Sequence, residues 1–174
     1  MSRGFVREGD QEEAPVIPPR AALPEHTPNY VTPQGFKALK AEKLKLLEEL
    51  SDFKSKDERE QRRKAAEIDG KLNLLNERIN SARVLDATNQ TMDEVRFGAT
   101  VTYKIESAKS PVTLKIVGVD EANVREKKIA FVAPIAKAMI GKKVGEIAHL
   151  ALGEEERKIE ILQITYDSNP ELRR

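Results

Sequence analysis

Four acidic residues lie close together near the middle of the chain, where one turn could present two of them side by side. They are Asp52, Asp57, Glu58 and Glu60. A pair of adjacent carboxylates is the main candidate reactive group of this sequence. The same residues also suit helix capping, because Asp57 is a good N-cap, Glu60 follows it by three residues, and Glu58 would face the positive end of a helix macrodipole. Both interpretations stay open at this point.

Four basic residues follow directly, namely Arg59, Arg62, Arg63 and Lys64. Such side chains bind phosphates favourably because they release counterions from nucleic acid. However, neighbouring acids would form exposed pairs of little energetic value, and no aromatic residue is interleaved to stack on a base. Binding to nucleic acid, binding to an acidic protein surface and plain solvation are therefore alternative interpretations.

Two apolar ladders flank this charged stretch and predict the element that carries it. Their rungs recur at alternating spacings of three and four, the heptad pattern of a coiled coil. Thr32 and Pro33 provide an N-cap and a first-turn proline for a helix that ends near Phe53, and a second helix runs from Asp57 to about Arg83. We predict an antiparallel coiled-coil hairpin over residues 32–85 with an exposed polar tip. The rungs are Phe36, Leu39, Lys43, Leu46, Leu50 and Phe53, then Ala65, Ile68, Leu72, Leu75, Ile79 and Ala82.

After a linker at residues 86–91, the periodicity changes from helical to extended. Val, Ile, Thr and Tyr dominate five segments that we predict as strands, and Pro134–Ile140 is predicted as one short helix stopped by Gly141. The fold class is therefore α+β, with a hairpin followed by an antiparallel sheet domain at residues 92–168 and a tail at 169–174. The strand segments are Phe97–Ile105, Val112–Val119, Ile129–Val132, Ile147–Leu152 and Ile159–Tyr166.

The composition excludes several classes of function. Lys and Arg total 30 against 29 Asp and Glu, so no global field selects nucleic acid or a membrane, although the hairpin alone is net basic. Cysteine is absent, which excludes disulfides and thiolate chemistry. His26 and His149 are isolated in the sequence, and we predict no metal site in the isolated protein. No apolar run is long enough for a membrane span, and we expect a cytoplasmic monomer.

Residues 1–31 contain five prolines and few large apolar side chains. Such a segment cannot bury enough surface to offset its ordering entropy, so we predict a disordered tail. The tail would serve either as an inert tether or as a docking strip for a partner.

Four segments in the same order resemble the successive signatures of the bacterial Gre (GreA/GreB) transcription elongation factors. The resemblance implies a coiled coil that enters the secondary channel of RNA polymerase and an FKBP-like carboxy-terminal domain that holds the channel rim. It also implies an accessory factor that is not itself an enzyme, with the polymerase and its nascent RNA or DNA as partners. The matching segments are residues 32–36, 95–101, 116–122 and 134–145.

The family resemblance further implies roles for individual residues. Tip carboxylates of Gre factors help the polymerase to hydrolyse a backtracked transcript, which is two-metal phosphodiester chemistry. The family's catalytic pair has no residue-by-residue match in this tip, so Asp52, Asp57, Glu58 and Glu60 are candidates to supply two adjacent carboxylates to a Mg ion of the polymerase active centre. The chain needs no cofactor of its own. The resemblance assigns polymerase anchoring to Asp120, Glu121, Ala133 and Pro134, with Ala133 in place of the usual serine.

The tip departs from the family pattern of Gly-Asp, two variable residues, Glu-Asn and a following Tyr. The first helix is also shorter by roughly fifteen residues, which corresponds to about 20 Å of reach. Cleavage assistance and a non-cleaving occupancy of the channel therefore remain alternatives. A peptidyl-prolyl isomerase is disfavoured because the chain has no Trp and only eight Phe and Tyr. A helical-hairpin adaptor or holdase is a further alternative.

Overall fold

The computed structural model describes residues 14–87 and 93–167. Predictions for residues 1–13, for most of the linker and for the carboxy-terminal tail lie outside the described residues. Within the described ranges, two long helices are followed by a five-stranded sheet with one short helix. The predicted α+β class is confirmed. None of the helices in these two ranges combines the length and apolar character that a membrane crossing requires.

The hairpin consists of α1 (Pro33–Asp52) and α2 (Glu58–Ser81). Thr32 caps α1 by accepting a hydrogen bond from the Gly35 amide at 3.0 Å, and Pro33 occupies the first turn, as the sequence predicts. The two ladders face each other, with Leu39 and the α2 residues Ile68, Leu72 and Leu75 buried. Burial of each such side chain stabilises the seam by about 1.5–3 kcal/mol.

A short two-stranded parallel sheet closes the base of the hairpin. Strand β1 (Asn29–Val31) pairs with β2 (Ala82–Val84), which directly follows α2. The Val31 side chain is 1% exposed, and the Asn29 side-chain amide donates to the Arg78 carbonyl at 3.0 Å. The predicted disordered tail is therefore wrong for these last residues, because β2 offers backbone partners and the base of the hairpin buries Val31.

The sheet domain contains five strands in the spatial order β5-β4-β3-β7-β6. Neighbouring strands are antiparallel except for β4 and β5, which are parallel, so the predicted all-antiparallel sheet needs a correction. The reason is the connection between these two strands, whose two 3-10 turns, Val119–Glu121 and Val124–Glu126, carry the chain back before β5 begins. The strands are β3 (Thr100–Ile105), β4 (Val112–Val117), β5 (Lys128–Ala130), β6 (Ile147–Leu152) and β7 (Glu155–Thr165).

The main core lies between this sheet and α3 (Pro134–Met139). Met139 and Ala136 of α3 are fully buried against inward-facing residues such as Ile116, Ile159 and Ile161. Gly141 has a φ of 87°, so the predicted glycine stop after the short helix is confirmed. The domain is therefore a stable base from which the hairpin leaves.

Candidate functional site

The tip of the hairpin is a five-residue turn, residues 53–57, that side-chain hydrogen bonds hold in place. Gln61 of α2 reaches across it, accepting from the Ser55 amide at 2.9 Å and donating to the Phe53 carbonyl at 3.0 Å. Phe53 caps the end of α1, where its amide donates to the Glu49 carbonyl at 3.1 Å. The sequence did not predict that Gln61 would bridge the turn through these two hydrogen bonds.

Each of the four predicted tip carboxylates has a local partner. Asp57 is the N-cap of α2 and accepts from the Arg59 amide at 2.9 Å. The carboxylate of Glu60 accepts from the Ser55 hydroxyl, so Glu60 does not complete the predicted capping box with Asp57. Asp52 accepts from Ser51 at 3.3 Å, a long contact on the solvent side. The turn geometry therefore accounts for Asp57 and Glu60 without any ligand.

Glu58 is the most available carboxylate of the tip. Its side chain is 92% exposed and pairs with Arg62 one helical turn later at 3.7 Å, a distance at which an exposed ion pair is weak. It also adjoins Asp57, whose Oδ1 accepts the cap hydrogen bond. The tip can therefore offer two neighbouring carboxylates to a partner, at the cost of a weak pair and with the cap kept.

The four predicted basic residues do not form one free patch. Lys64 binds Glu49 of α1 at 2.7 Å and lies 3.8 Å from Glu67, so it links the two helices behind the tip. The Lys64 ammonium lowers the pKa of the Glu49 carboxyl, and Glu49 in turn raises the pKa of Lys64. Arg59, Arg62 and Arg63 line a depression beside the tip together with residues 14–16. The predicted phosphate-facing group thus reduces to three arginines.

The two acids predicted to anchor the polymerase lie at the junction between hairpin and sheet domain. The Asp120 side chain is 4% exposed, and its carboxylate binds Arg20 at 2.8 Å and Arg78 of α2 at 3.5 Å. Glu121 accepts from the Thr32 amide at 3.0 Å and from the Gly118 amide at 3.2 Å, and its other oxygen accepts from the Thr32 hydroxyl. Both oxygens of Glu121 are therefore occupied within the chain, whereas Oδ2 of Asp120 is buried next to Arg78 without a hydrogen bond.

The other predicted anchoring pair lies at the start of α3. Pro134 is exposed in the first turn, and Ala133 occupies the N-cap position without a side-chain hydrogen bond. Because alanine lacks a hydroxyl, this helix start leaves its first amides to solvent or to a partner. Pro134 is thus accessible for docking, in contrast to the two junction acids, whereas Ala133 is half-buried against the core.

Three aromatic rings meet beside the junction. Tyr30 of β1 lies 6.0 Å from Phe97 and 5.6 Å from Phe131, and the two phenylalanine rings are 5.6 Å apart in an edge-to-face arrangement. The cluster joins the base of the hairpin to the sheet domain. It leaves these rings packed against each other, which argues against the open aromatic pocket that proline isomerisation would need.

Arg20 and Arg78 were missed by the sequence interpretation, although both reach the junction. Arg20 lies in a proline-rich stretch without periodicity, and Arg78 occupies an unremarkable position near the end of α2. Neither residue carries a local signal, because each acquires its partner only when Asp120 approaches from the sheet domain. Arg78 also donates to the Ala21 carbonyl.

The strongest comparison with known proteins concerns the sheet domain. Residues 89–166 match the family model described as "Transcription elongation factor, GreA/GreB, C-term". Over 99 residues the chain is 38% identical to transcription elongation factor GreA of Hyphomonas neptunium, which covers 57% of this chain and 63% of that protein. The match thus spans less than two thirds of that relative's length. A GreA of Rickettsia canadensis is 28% identical over 151 residues, covering 78% of this chain and 93% of that protein.

Solved structures of the same kind also match. The GreA factor homolog 1 (Gfh1) of Thermus thermophilus is 20% identical, covers 80% of this chain and 99% of that chain, and superposes with a TM-score of 0.37. A transcription elongation factor GreA/GreB from Nitrosomonas europaea is 21% identical, covers 79% and 98%, and superposes with a TM-score of 0.39.

Proposed function

We propose that this chain is a transcription elongation factor of the GreA/GreB type, because its carboxy-terminal domain matches the model of that family, and that it binds RNA polymerase during elongation. The sheet domain holds the polymerase at the rim of its secondary channel, and the hairpin enters the channel. The observation that carries this proposal is a projecting shaft, on the order of 30 Å long, that ends in exposed charged groups. A monomer located in the cytoplasm stays a prediction.

The tip supports a specific chemical role inside the channel. Glu58 and Asp57 offer two neighbouring carboxylates, which are the oxygen ligands that a Mg ion prefers. The polymerase holds the ion, and the tip adds ligands to it while the polymerase cleaves a backtracked transcript. Arg59 and Arg63 lie behind the carboxylates, where they can face the phosphates of the transcript. The chain itself performs no covalent step.

A second candidate function is occupancy of the channel without cleavage. Two observations favour it, namely that Asp57 and Glu60 already serve the turn, and that the tip lacks the family's acidic pattern. In this version the hairpin blocks or modulates the channel, and its carboxylates matter only for the shape of the turn.

One experiment separates the two versions. The full chain is first co-purified with core RNA polymerase and then added to a stalled, backtracked complex, with cleavage of the transcript as the readout. The Asp57→Asn, Glu58→Gln double variant removes both charges and keeps the cap, since asparagine caps helices as well as aspartate does. Asp69→Asn, an exposed acid midway along the same helix, is the matched control.

If the tip assists cleavage, wild type and Asp69→Asn stimulate it, and the double variant loses at least about tenfold, equivalent to about 1.4 kcal/mol in the barrier. Binding without stimulation by the wild type establishes the channel-occupying version. Absence of any binding to the polymerase contradicts both versions.

A further inference from the structure

Residues 15–28 run beside the hairpin as a strap without helix or strand, with a turn between Pro24 and Thr27 before β1. The residues at its beginning lie beside the tip arginines, and the chain then runs along α2 towards the junction. Between the level of Gly70 and the level of Arg78, α2 advances eight residues, or about 12 Å, while the strap advances from Ile17 to Ala21, about 13 Å when extended. The strap and α2 therefore advance by about the same distance and run side by side over this stretch.

The strap packs against α2 at Gly70, where the helix has no side chain. A Cβ atom added at Gly70 would lie 1.6 Å from Cδ1 of Ile17, so the missing side chain of Gly70 makes room for the isoleucine. Ile17 is half-buried there, next to Leu74 of the same helix. A glycine inside a long helix costs about 1 kcal/mol relative to alanine, and the seat for Ile17 explains its presence at this position.

Arg20 connects the strap, α1 and the sheet domain at the junction. Its guanidinium binds Glu42 of α1 at 2.8 Å and Asp120 of the sheet domain at 2.8 Å, while Arg20 itself belongs to the strap. The Arg20 side chain is 18% exposed, so these pairs are shielded from solvent more than ordinary surface pairs. Glu42 raises the pKa of the Arg20 guanidinium, and Asp120 adds to this.

Asp120 does not depend on Arg20 alone. Arg78 of α2 lies 3.5 Å from its second oxygen, so a charged partner remains when Arg20 is removed. Loss of Arg20 therefore leaves Asp120 beside one cation, without the hydrogen bond that Arg20 donates, and some loss of stability is expected because the carboxylate is buried. Loss of Arg20 also removes the connection from the sheet domain through the strap to α1.

We propose that Arg20 is a positioning residue, and that the strap formed by residues 15–28 fixes the direction in which the hairpin leaves the sheet domain. Relative motion is the default for two domains joined by a small contact. The strap limits that motion by tying α1 and the sheet domain to one guanidinium, and by seating Ile17 farther along the shaft. A hairpin that must find a narrow opening benefits from a fixed direction.

The test measures direction rather than stability. Since the natural chain has no cysteine, Lys56→Cys at the tip and Lys109→Cys in the turn after β3 provide two unique sites for spin labels. Pulsed electron spin resonance then gives the distribution of distances between them in the full chain. The variants are Arg20→Ala, Arg20→Lys and Glu42→Gln. Arg157→Ala is the matched control, because Arg157 pairs with Glu155 of its own strand at 3.6 Å.

We expect a narrow distribution for wild type and Arg157→Ala, and a distribution about twice as wide for Arg20→Ala, because the domains regain their default freedom. Arg20→Lys restores part of the narrowing, since lysine supplies the charge without the fork of a guanidinium. Glu42→Gln weakens the connection to α1 and leaves Arg20 paired with Asp120, so it provides the test if Arg20→Ala does not fold. A width unchanged from wild type in Arg20→Ala, or in Glu42→Gln in that case, overturns the proposal. No polymerase is present in this measurement, so its failure would leave the proposed function standing.

Discussion

The tip and the junction both carry charged side chains but use them differently. At the tip, Asp57 and Glu60 satisfy groups within a few residues of themselves, and Glu58 stays 92% exposed. At the junction, Asp120 and Glu121 bind residues about ninety to one hundred positions away. The difference indicates that the junction charges hold the domains together, whereas the tip charges are available to a partner.

The strongest challenge to this contrast is removal of the central junction acid. Glu121→Ala deprives the amides of Thr32 and Gly118 of their acceptor, and we expect a loss of about 2–4 kcal/mol in the free energy of unfolding. Chemical denaturation measures it. Glu106→Ala, whose partner Lys158 is 3.9 Å away on the exposed surface, serves as the control and should change little. Equal effects of the two substitutions would contradict the structural role of Glu121.

At the tip, the corresponding substitution should cost less. Asp57→Ala removes one N-cap and should lower the free energy of unfolding by about 1 kcal/mol, whereas Asp57→Asn should be nearly neutral because it keeps the cap. Thermal unfolding of both variants provides the measurement. A large loss for Asp57→Asn would mean that the charge itself stabilises the turn, and the carboxylate would then not be available to a partner.

The contact between Ile17 of the strap and Gly70 of α2 can be tested with a double-mutant cycle. Helix propensity alone predicts that Gly70→Ala gains up to about 1 kcal/mol. In the full chain the new methyl group meets Ile17, so most of this gain should disappear, and it should return when Ile17→Ala is added. The measurement is the free energy of unfolding of wild type, of Gly70→Ala, of Ile17→Ala and of the double variant. A full gain from Gly70→Ala alone would show that Ile17 does not pack against α2 at Gly70.

The smallest effect concerns pH and the shaft behind the tip. Lys64 and Lys71 lower the pKa values of Glu49 and Glu67, so these pairs contribute stability above the unfolded carboxyl pKa of about 4.3. That contribution is lost as the pH falls through the lower pKa values of the folded state. Lys64→Gln should therefore reduce the difference in stability between neutral and acidic pH, measured by denaturant titration. An unchanged difference would show that the pair is fully screened.

The hairpin was predictable from sequence because its information is local. The ladder spacing fixed which face of each helix is buried, and even Lys43, the polar rung, is less exposed than its neighbours. The N-cap Thr32 and the stop at Gly141 are likewise readable from short patterns. Elements of this kind need no knowledge of the rest of the fold.

The junction was not predictable, because its residues acquire partners across the whole chain. The proline-rich composition of residues 1–31 indicates disorder, yet β2 and Asp120 supply partners that a composition argument does not contain. Nothing local in the sequence relates Gly70 to Ile17. The parallel pairing of β5 depends on two short 3-10 turns that leave no periodic trace.

The position of the tip on the polymerase is the most direct test of the account. A photo-crosslinker attached at Lys56→Cys should link the protein to residues inside the secondary channel and to the 3′ end of a backtracked transcript. The same group attached at Lys109→Cys, on the sheet domain, should reach the polymerase rim without touching RNA. Crosslinks from the tip to the outer surface alone, or no crosslinks to the polymerase from either site, would contradict the proposed function.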